Sequence, residues 1–366
     1  MSTGFSRIPR ERTDPLRLPA LWVLAVFVSL CGAAPQLPPE MHELAINSID
    51  FVYKEKFKLA EDEAKKIIRK YPDHPAGYFF YAAALELWMD YYETDKREVE
   101  FYKYCDLAIE QAEKLIARGG VDKDWALFFM GGADGIKGTY ESRYEKWITS
   151  FRHGWKGVSN LQQLYKRNPN IKDVLYGIGL YDYWRSALTK ILWWMPGIEN
   201  RCQQGINELY DAKKNGMYTC ISAGVNLIDI LCNEARYKEA LALADELLEK
   251  YPFTLKFFWG RGAALYGSGR YNEAEGVYRY ILIRVEAEPF DNHYNAVVCH
   301  YWLAKIYYKT RQYTESIAEC NRMLYYTPDV DTKRRLAKYY SEAARIRAQA
   351  HSESVKSGGA KDATGK

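Results

Sequence analysis

The sequence predicts an all-α protein in which helical hairpins stack side by side into a solenoid. One motif occurs three times, as Ala-Arg-Tyr-Lys-Glu-Ala at 235–240, Gly-Arg-Tyr-Asn-Glu-Ala at 269–274 and Arg-Gln-Tyr-Thr-Glu-Ser at 311–316. Tyr237 and Tyr271 are 34 residues apart, and Tyr313 follows after 42 more. Apolar residues recur at helical spacing between the copies, and Pro252 and Pro328 close two of the units. Repeats of this length are typical of hairpins that bury their apolar faces only by stacking.

Composition limits the function classes. The 366 residues are 48% hydrophobic and 27% charged, which is typical of a folded protein, and 15% are aromatic. The formal net charge of +4 is spread along the chain and forms no concentrated basic segment. Because nucleic-acid binding requires such a segment or face, the sequence predicts no nucleic-acid partner.

Residues 1–33 have the pattern of an export signal. Four arginines precede an apolar run at 21–30 that is too short to span a bilayer, and small residues follow. We expect cleavage after Ala33 and a spacer over 34–40. Cys31 leaves open a lipidated amino terminus, although Leu30 lies where such signals have a small residue. An uncleaved anchor is the third alternative.

The other six cysteines, between Cys105 and Cys320, have two interpretations. An even number in an exported chain permits disulfides. Their scattered positions in a helical protein favour the second interpretation, which is that they are small apolar residues buried at helix contacts. Neither Cys-x-x-Cys nor a histidine cluster occurs, so we expect neither a metal nor another cofactor.

Three regions follow the spacer. Residues 41–121 form amino-terminal hairpins, in which Ala60 and Ala64 allow close helix approach and Pro72 ends a helix. Residues 122–217 form irregular hairpins rich in glycine and aromatic residues. The last region, 218–330, contains the regular repeats; we expect a capping helix over 331–350 and a disordered tail over 351–366.

The irregular region has glycines inside a predicted helix, at 131, 132, 135 and 138. Each glycine costs roughly 1 kcal/mol relative to alanine within a helix. We therefore expect close backbone contact with a neighbouring helix at these positions.

With these residues in view, the chain resembles the tetratricopeptide repeat family over about residues 41–350, most clearly over 221–330. The irregular block also resembles glycine- and aromatic-rich segments of exported bacterial repeat proteins and, more distantly, the Iml2-type eukaryotic repeat proteins. The resemblance implies a right-handed superhelix of about six or seven hairpins, whose concave groove binds an extended peptide or a helix. By position, the groove residues are Val225, Asp229, Cys232, Trp259, Ala263, Tyr266, Tyr301, Lys305 and Tyr308. The family's Lys/Asn/Arg carboxylate clamp is missing, so an acidic carboxy-terminal tail is a poor candidate ligand.

Two aromatic features have competing interpretations. Trp259 and Tyr266, like Tyr301 and Tyr308, are seven residues apart and share a helix face, either as a peptide groove or as packing between repeats. The second feature is a cluster of large apolar residues at a helix break, Trp193, Trp194 and Met195. One interpretation is contact with a membrane interface or a partner, and the other is a loop that folds back on the solenoid.

We also considered catalysis. Asp134, Asp182 and Arg185 are the polar residues near the glycine-rich helices, and the histidines are dispersed. Without a nucleophile or metal beside a base, the residues favour buried ion pairs over catalysis.

These observations predict a non-catalytic scaffold that is exported and either periplasmic or associated with the outer membrane. We expect its partners to be envelope assembly or secretion proteins. Two alternatives remain: a glycan- or peptidoglycan-associated accessory protein with aromatic platforms, and a membrane-associated assembly factor attached through Trp193 or Cys31.

Overall fold

The computed structural model describes residues 37–119, 123–191, 199–288 and 293–363, without the side chains of 188–191 and 357–363. Over these residues the chain forms fifteen α-helices, a 3-10 turn and no strand. Seven antiparallel hairpins are followed by a long last helix, as predicted. The helices are α1 Pro39–Tyr53, α2 Phe57–Lys70, α3 Pro75–Tyr91, α4 Glu98–Arg118, α5 Lys123–Arg143, α6 Trp147–Arg167, α7 Val174–Ile191, α8 Cys202–Asn215, α9 Cys220–Asn233, α10 Tyr237–Lys250, α11 Leu255–Gly267, α12 Tyr271–Glu286, α13 Tyr294–Lys309, α14 Tyr313–Arg322 and α15 Val330–Ala363, with the 3-10 turn at Met323–Tyr325.

The repeated sequence motif marks the turn inside a hairpin. Its first residue, which is Ala235, Gly269 or Arg311, has a left-handed backbone with φ of 54°, 79° or 62°. A left-handed residue reverses the chain tightly between the two helices, and glycine adopts this conformation most easily. The sixth motif residue packs where the helices meet, since Ala240 and Ala274 are fully buried.

Glycines bring two helix pairs of the irregular region into backbone contact. A Cβ added to Gly157 on α6 would lie 2.7 Å from the carbonyl oxygen of Gly131 on α5. The α7–α8 crossing is similar, because a Cβ on Gly205 would lie 2.5 Å from the carbonyl oxygen of Gly179. The expected backbone contact is thus confirmed for Gly131 and for Gly138, where an added Cβ would lie 3.0 Å from the carbonyl oxygen of Ser150. A Cβ on Gly132 would instead meet the Phe79 side chain, and one on Gly135 would have no atom within 4 Å.

The superhelix completes a turn and packs on itself. The turn after α1 meets the start of α11, where the Leu255 amide donates to Glu55 at 2.5 Å and Arg284 forms an ion pair with Glu55 at 2.9 Å. The end of α3 meets the segment after α12 and the start of α13, where the Tyr91 hydroxyl donates to Glu288 at 3.0 Å and Asn295 donates to the Tyr91 carbonyl at 2.9 Å. These contacts enclose the inner helices, which are α1, α3, α5, α7, α9, α11 and α13.

The last helix differs from the prediction. It extends to Ala363, beyond residue 350, where the predicted capping helix ends. Extending an existing helix requires no new nucleation, and Lys356 forms an ion pair with Glu353 one turn earlier at 2.8 Å.

Several predictions concern residues that the structure does not describe. The export signal, Cys31 and the Trp193, Trp194 and Met195 cluster lie outside the described residues. Within the described ranges, no helix combines the length and the apolarity that crossing a membrane requires.

The α5–α6 crossing can be tested with two glycine substitutions. Gly157→Ala should lower the free energy of unfolding by about 1–3 kcal/mol, because the added methyl group overpacks the crossing. Gly276→Ala is the control, since Gly276 is exposed on α12 with open space at its Cβ and should gain up to about 1 kcal/mol from helix propensity. Denaturant unfolding measures both. Equal effects of the two substitutions would contradict the backbone contact.

Candidate functional site

Two joined chambers lie inside the superhelix. The first, here called the apolar chamber, has a volume of about 600 Å³ and is lined mainly by α1, α3, α5, α6 and α7. The second, the charged chamber, has a volume of about 340 Å³ and is lined mainly by α3, α9, α11 and α13. Volumes in the hundreds of Å³ are those of ligand pockets.

Tyrosine hydroxyls stand where the chambers meet. Tyr53 is hydrogen-bonded to Ser222 at 2.8 Å, and Asn226 donates to the Tyr176 hydroxyl at 3.1 Å. All four residues line both chambers. Burial raises the pKa of both tyrosines, so they remain neutral hydrogen-bonding groups at physiological pH. This polar boundary separates two surfaces of different chemistry.

The charged chamber contains an acid–base cluster that the sequence did not reveal. Lys256 is 3.0 Å from Asp90, and Arg143 is 3.3 Å from Asp90 and also pairs with Glu86. Burial alone would raise the pKa of Asp90, but Lys256 and Arg143 overcome this and lower it to about 2. Burial raises the pKa of Glu86 in spite of Arg143.

Asp229 differs from its neighbours in the charged chamber. Among the described residues it has no hydrogen-bond or ion-pair partner, and its side chain is exposed to the chamber. The enclosing walls raise its pKa by excluding water, and Lys256 opposes that shift while Asp90 adds to it. It is therefore the carboxyl group of this chamber whose hydrogen-bonding positions are open among the described residues.

Aromatic side chains form another wall of this chamber. Trp259 on α11 and Trp302 on α13 both line it. Both contact Tyr278: the ring centroids are 5.9 Å apart for Trp259 and 5.5 Å apart for Trp302, which is stacked nearly parallel. Trp302 was missed from the sequence because it lies one position after Tyr301, on the neighbouring helix face.

The predicted groove residues separate into two groups. Val225, Asp229 and Trp259 line the charged chamber. The chamber lining does not include Cys232, Ala263, Tyr266, Tyr301, Lys305 or Tyr308.

The second group lies beyond the chamber for a physical reason. Helix α15 packs on α13 and buries Tyr301, whose hydroxyl donates to Glu342, so of the two alternatives for this residue the structure shows packing. Lys305 lies over the rings of Tyr266 and Trp302, at 5.2 and 4.4 Å from their centroids. Tyr308 packs on Tyr313 at 5.9 Å. These residues mainly join α13 to its neighbours.

The polar set of the irregular region forms ion pairs within hairpins. Asp134 on α5 is 3.4 Å from Lys156 on α6, and Asp182 on α7 is 2.9 Å from Arg201 before α8. Both aspartates are buried, as predicted. Arg185 instead lines the apolar chamber.

Metal and thiol chemistry have little support in the described part of the chain. No group of three or more His, Cys, Asp or Glu side chains there is arranged to hold a metal ion. The six described cysteines are free thiols, and four of them are buried. Burial raises the pKa of Cys105 and Cys299, which disfavours their thiolates.

Comparisons with known proteins identify the repeat. Residues 227–292 match the family described as Tetratricopeptide repeat. A comparison with curated proteins finds no match.

Several solved structures are similar in fold at low sequence identity. The Rap protein complexed with Competence and Sporulation Factor is 13% identical, with 86% of each chain covered and a TM-score of 0.49. A tetratricopeptide repeat protein from Parabacteroides merdae is 15% identical, with 83% of this chain and 100% of that chain covered and a TM-score of 0.37. The Cut9–Hcn1 structure is 14% identical, with 85% and 66% covered and a TM-score of 0.30.

The acid–base cluster makes stability depend on pH. The pKa of Asp90 falls on folding from about 3.8 to about 2, so its ion pair stabilises the protein above pH 4 and loses this effect as the pH falls towards 2. Lys256→Met should cost about 1 kcal/mol at pH 6, the upper range for a partly exposed pair. The difference from wild type in denaturant unfolding should shrink below pH 4. A difference that is constant down to pH 2 would contradict the pairing.

Proposed function

Because this chain contains tetratricopeptide repeats, we propose that it is a non-catalytic scaffold that binds a segment of a partner protein in the charged chamber. The bound segment carries a lysine or arginine, which pairs with Asp229. Repeat solenoids present extended concave surfaces to their partners, and here that surface is enclosed.

The charge of the chamber supports this proposal most directly. Its lining contains the carboxylates of Glu55, Glu86, Asp90, Glu93 and Asp229 and the basic groups of Arg143 and Lys256. The other four carboxylates already have basic partners or hydrogen-bond donors. Asp229 is the carboxylate left for a ligand among the described lining residues. An acidic segment would meet uncompensated like charge, in agreement with the missing carboxylate clamp.

The aromatic wall supplies a second contact for the same ligand. A guanidinium or ammonium group binds the face of a tryptophan favourably. Trp259 and Trp302 are held by packing on Tyr278, so they lose little conformational freedom when a ligand binds.

We place this scaffold in the cell envelope on the basis of residues 1–33. Their basic leader, short apolar run and small residues support export. In this proposal the partner is an envelope assembly or secretion protein.

An array of short synthetic peptides tests the site. Peptides with lysine or arginine should bind, and versions with glutamate in those positions should not. Asp229→Asn should weaken binding at least about tenfold, since a hydrogen bond to a charged group contributes about 1.5–3 kcal/mol. Trp259→Ala should also weaken it. Tyr325→Ala, at an exposed aromatic residue outside the chamber, is the matched control.

The pH dependence of peptide binding distinguishes a specific ion pair with Asp229 from non-specific electrostatic attraction to the chamber. Wild-type affinity should fall as the pH is lowered through the raised pKa of Asp229, because the protonated carboxyl no longer pairs with a cation. Asp229→Asn should show a weaker dependence, which comes from Glu55, Glu86 and Glu93 in the same chamber, since burial raises the pKa of each of these carboxyls as well. Equal peptide binding by wild type and Asp229→Asn would contradict the site. If the protein binds no peptide but binds a glycan array, and Trp259→Ala abolishes that binding, the ligand is a glycan and not a protein segment.

A further inference from the structure

An exposed aromatic surface lies on α6 and α7, which are neighbouring helices of two successive hairpins. Trp147, Phe151 and Trp155 recur every four residues along one face of α6, with 57%, 54% and 57% of their surfaces exposed. Trp184 on α7 is 43% exposed. The Tyr181 ring lies 6.1 Å from Phe151 and 6.2 Å from Trp155, which joins the two helices into one surface. Contiguous exposed apolar surface of this kind marks an interaction site.

This surface is the rim of the apolar chamber. Trp147, Phe151 and Trp184 line the chamber as well as facing solvent. Behind the rim, the wall consists of glycines of α5 together with side chains such as Phe79, Ile136 and Leu180. The chamber therefore continues an exposed apolar surface into the interior.

Basic groups accompany the aromatic rim. Arg152 and Lys156 are exposed on α6, next to the aromatic stripe, and Arg185 lines the chamber beside Trp184. Lys156 is partly engaged, at 3.4 Å from Asp134, whereas Arg152 has no ion-pair partner among the described residues. Tryptophan with lysine and arginine is the composition of a surface that contacts lipid headgroups.

We propose that the apolar chamber binds the acyl chain of an anionic lipid, with the headgroup at Arg152 and Arg185. The chain enters between α6 and α7, past Phe151 and Trp184. The buried Tyr181 hydroxyl, which has no hydrogen-bond partner among the described residues, can donate to an ester carbonyl near the entrance. This site lies apart from Asp229 and does not depend on the proposed peptide function.

The chemistry of the wall favours an acyl chain over a peptide segment. An extended peptide brings an amide and a carbonyl group at each residue, and each of these requires a polar partner when buried. The α5 and α6 walls present mainly glycine and aromatic surfaces to the chamber. A hydrocarbon chain needs no such partners, and its charged end matches the basic rim.

Gly135 permits a direct steric test. It lines the chamber, and a Cβ at this position would have no atom within 4 Å. The leucine side chain of Gly135→Leu should therefore occupy the empty volume of the chamber without clashing at a helix crossing. Gly276→Leu is the matched control, because Gly276 also has open space but lies exposed on α12. Thermal unfolding of both variants establishes that they fold.

The probe is lysophosphatidylglycerol, which has one acyl chain and an anionic headgroup, titrated as a monomer and measured by calorimetry. Wild type and Gly276→Leu should bind it saturably, and Gly135→Leu should bind it at least about tenfold more weakly through lost apolar contact. Arg152→Gln combined with Arg185→Gln should remove the preference over lysophosphatidylcholine. Arg334→Gln, at an exposed arginine on α15, is the control for charge.

Three results would overturn the lipid site. One is the absence of saturable binding to wild type. The second is equal binding by folded Gly135→Leu. The third is occupancy of the chamber by an apolar peptide that the lipid cannot displace. Asp229→Asn should leave lysolipid binding unchanged, so failure here and failure of the peptide site are distinguishable.

Discussion

The packing of the superhelix on itself is the contact on which both chambers depend. Tyr53, the last residue of α1, and Glu55, in the turn that follows it, meet residues about two hundred positions later in the chain. The Tyr53 ring stacks on Phe257 with centroids 5.9 Å apart, and Thr254 donates to the Tyr53 carbonyl. An open solenoid would present the same inner helices as a groove. Closure instead turns that groove into partly enclosed chambers, where burial shifts pKa values and strengthens electrostatic interactions.

The irregular hairpins form the walls of the apolar chamber. Backbone contact between Gly131 and Gly157 brings α5 and α6 closer than side chains would permit. Phe151 and Gly154 of α6, the second helix of its hairpin, consequently line the apolar chamber with the inner helices. The regular repeats contribute charged and aromatic residues to the charged chamber. One fold thus contains two surfaces of opposite chemistry, separated by the hydroxyls of Tyr53 and Tyr176.

Sequence periodicity predicted the helical hairpins because their signals are local. The motif at Gly269 marks a left-handed turn, and Ala240 and Ala274 are buried as its register requires. The same register placed Val225, Asp229 and Trp259 on the inner surface. It could not predict that α15 covers Tyr301, because a repeat register does not describe the packing of a terminal helix. The cluster of Glu86, Asp90, Arg143 and Lys256 escaped prediction because its members lie on different helices. Glu86 and Asp90 are on α3 and Arg143 is on α5 of the next hairpin, whereas Lys256 joins them from the distant α11 only when the superhelix closes.

A double-mutant cycle across the closing contact tests this account most directly. Glu55 and Arg284 are far apart in sequence and 2.9 Å apart in the structure. Unfolding free energies of Glu55→Gln, Arg284→Met and the double variant should give a coupling energy of about 1 kcal/mol, as for residues in contact. Strictly additive effects would contradict the closed superhelix and, with it, the enclosure of the two chambers.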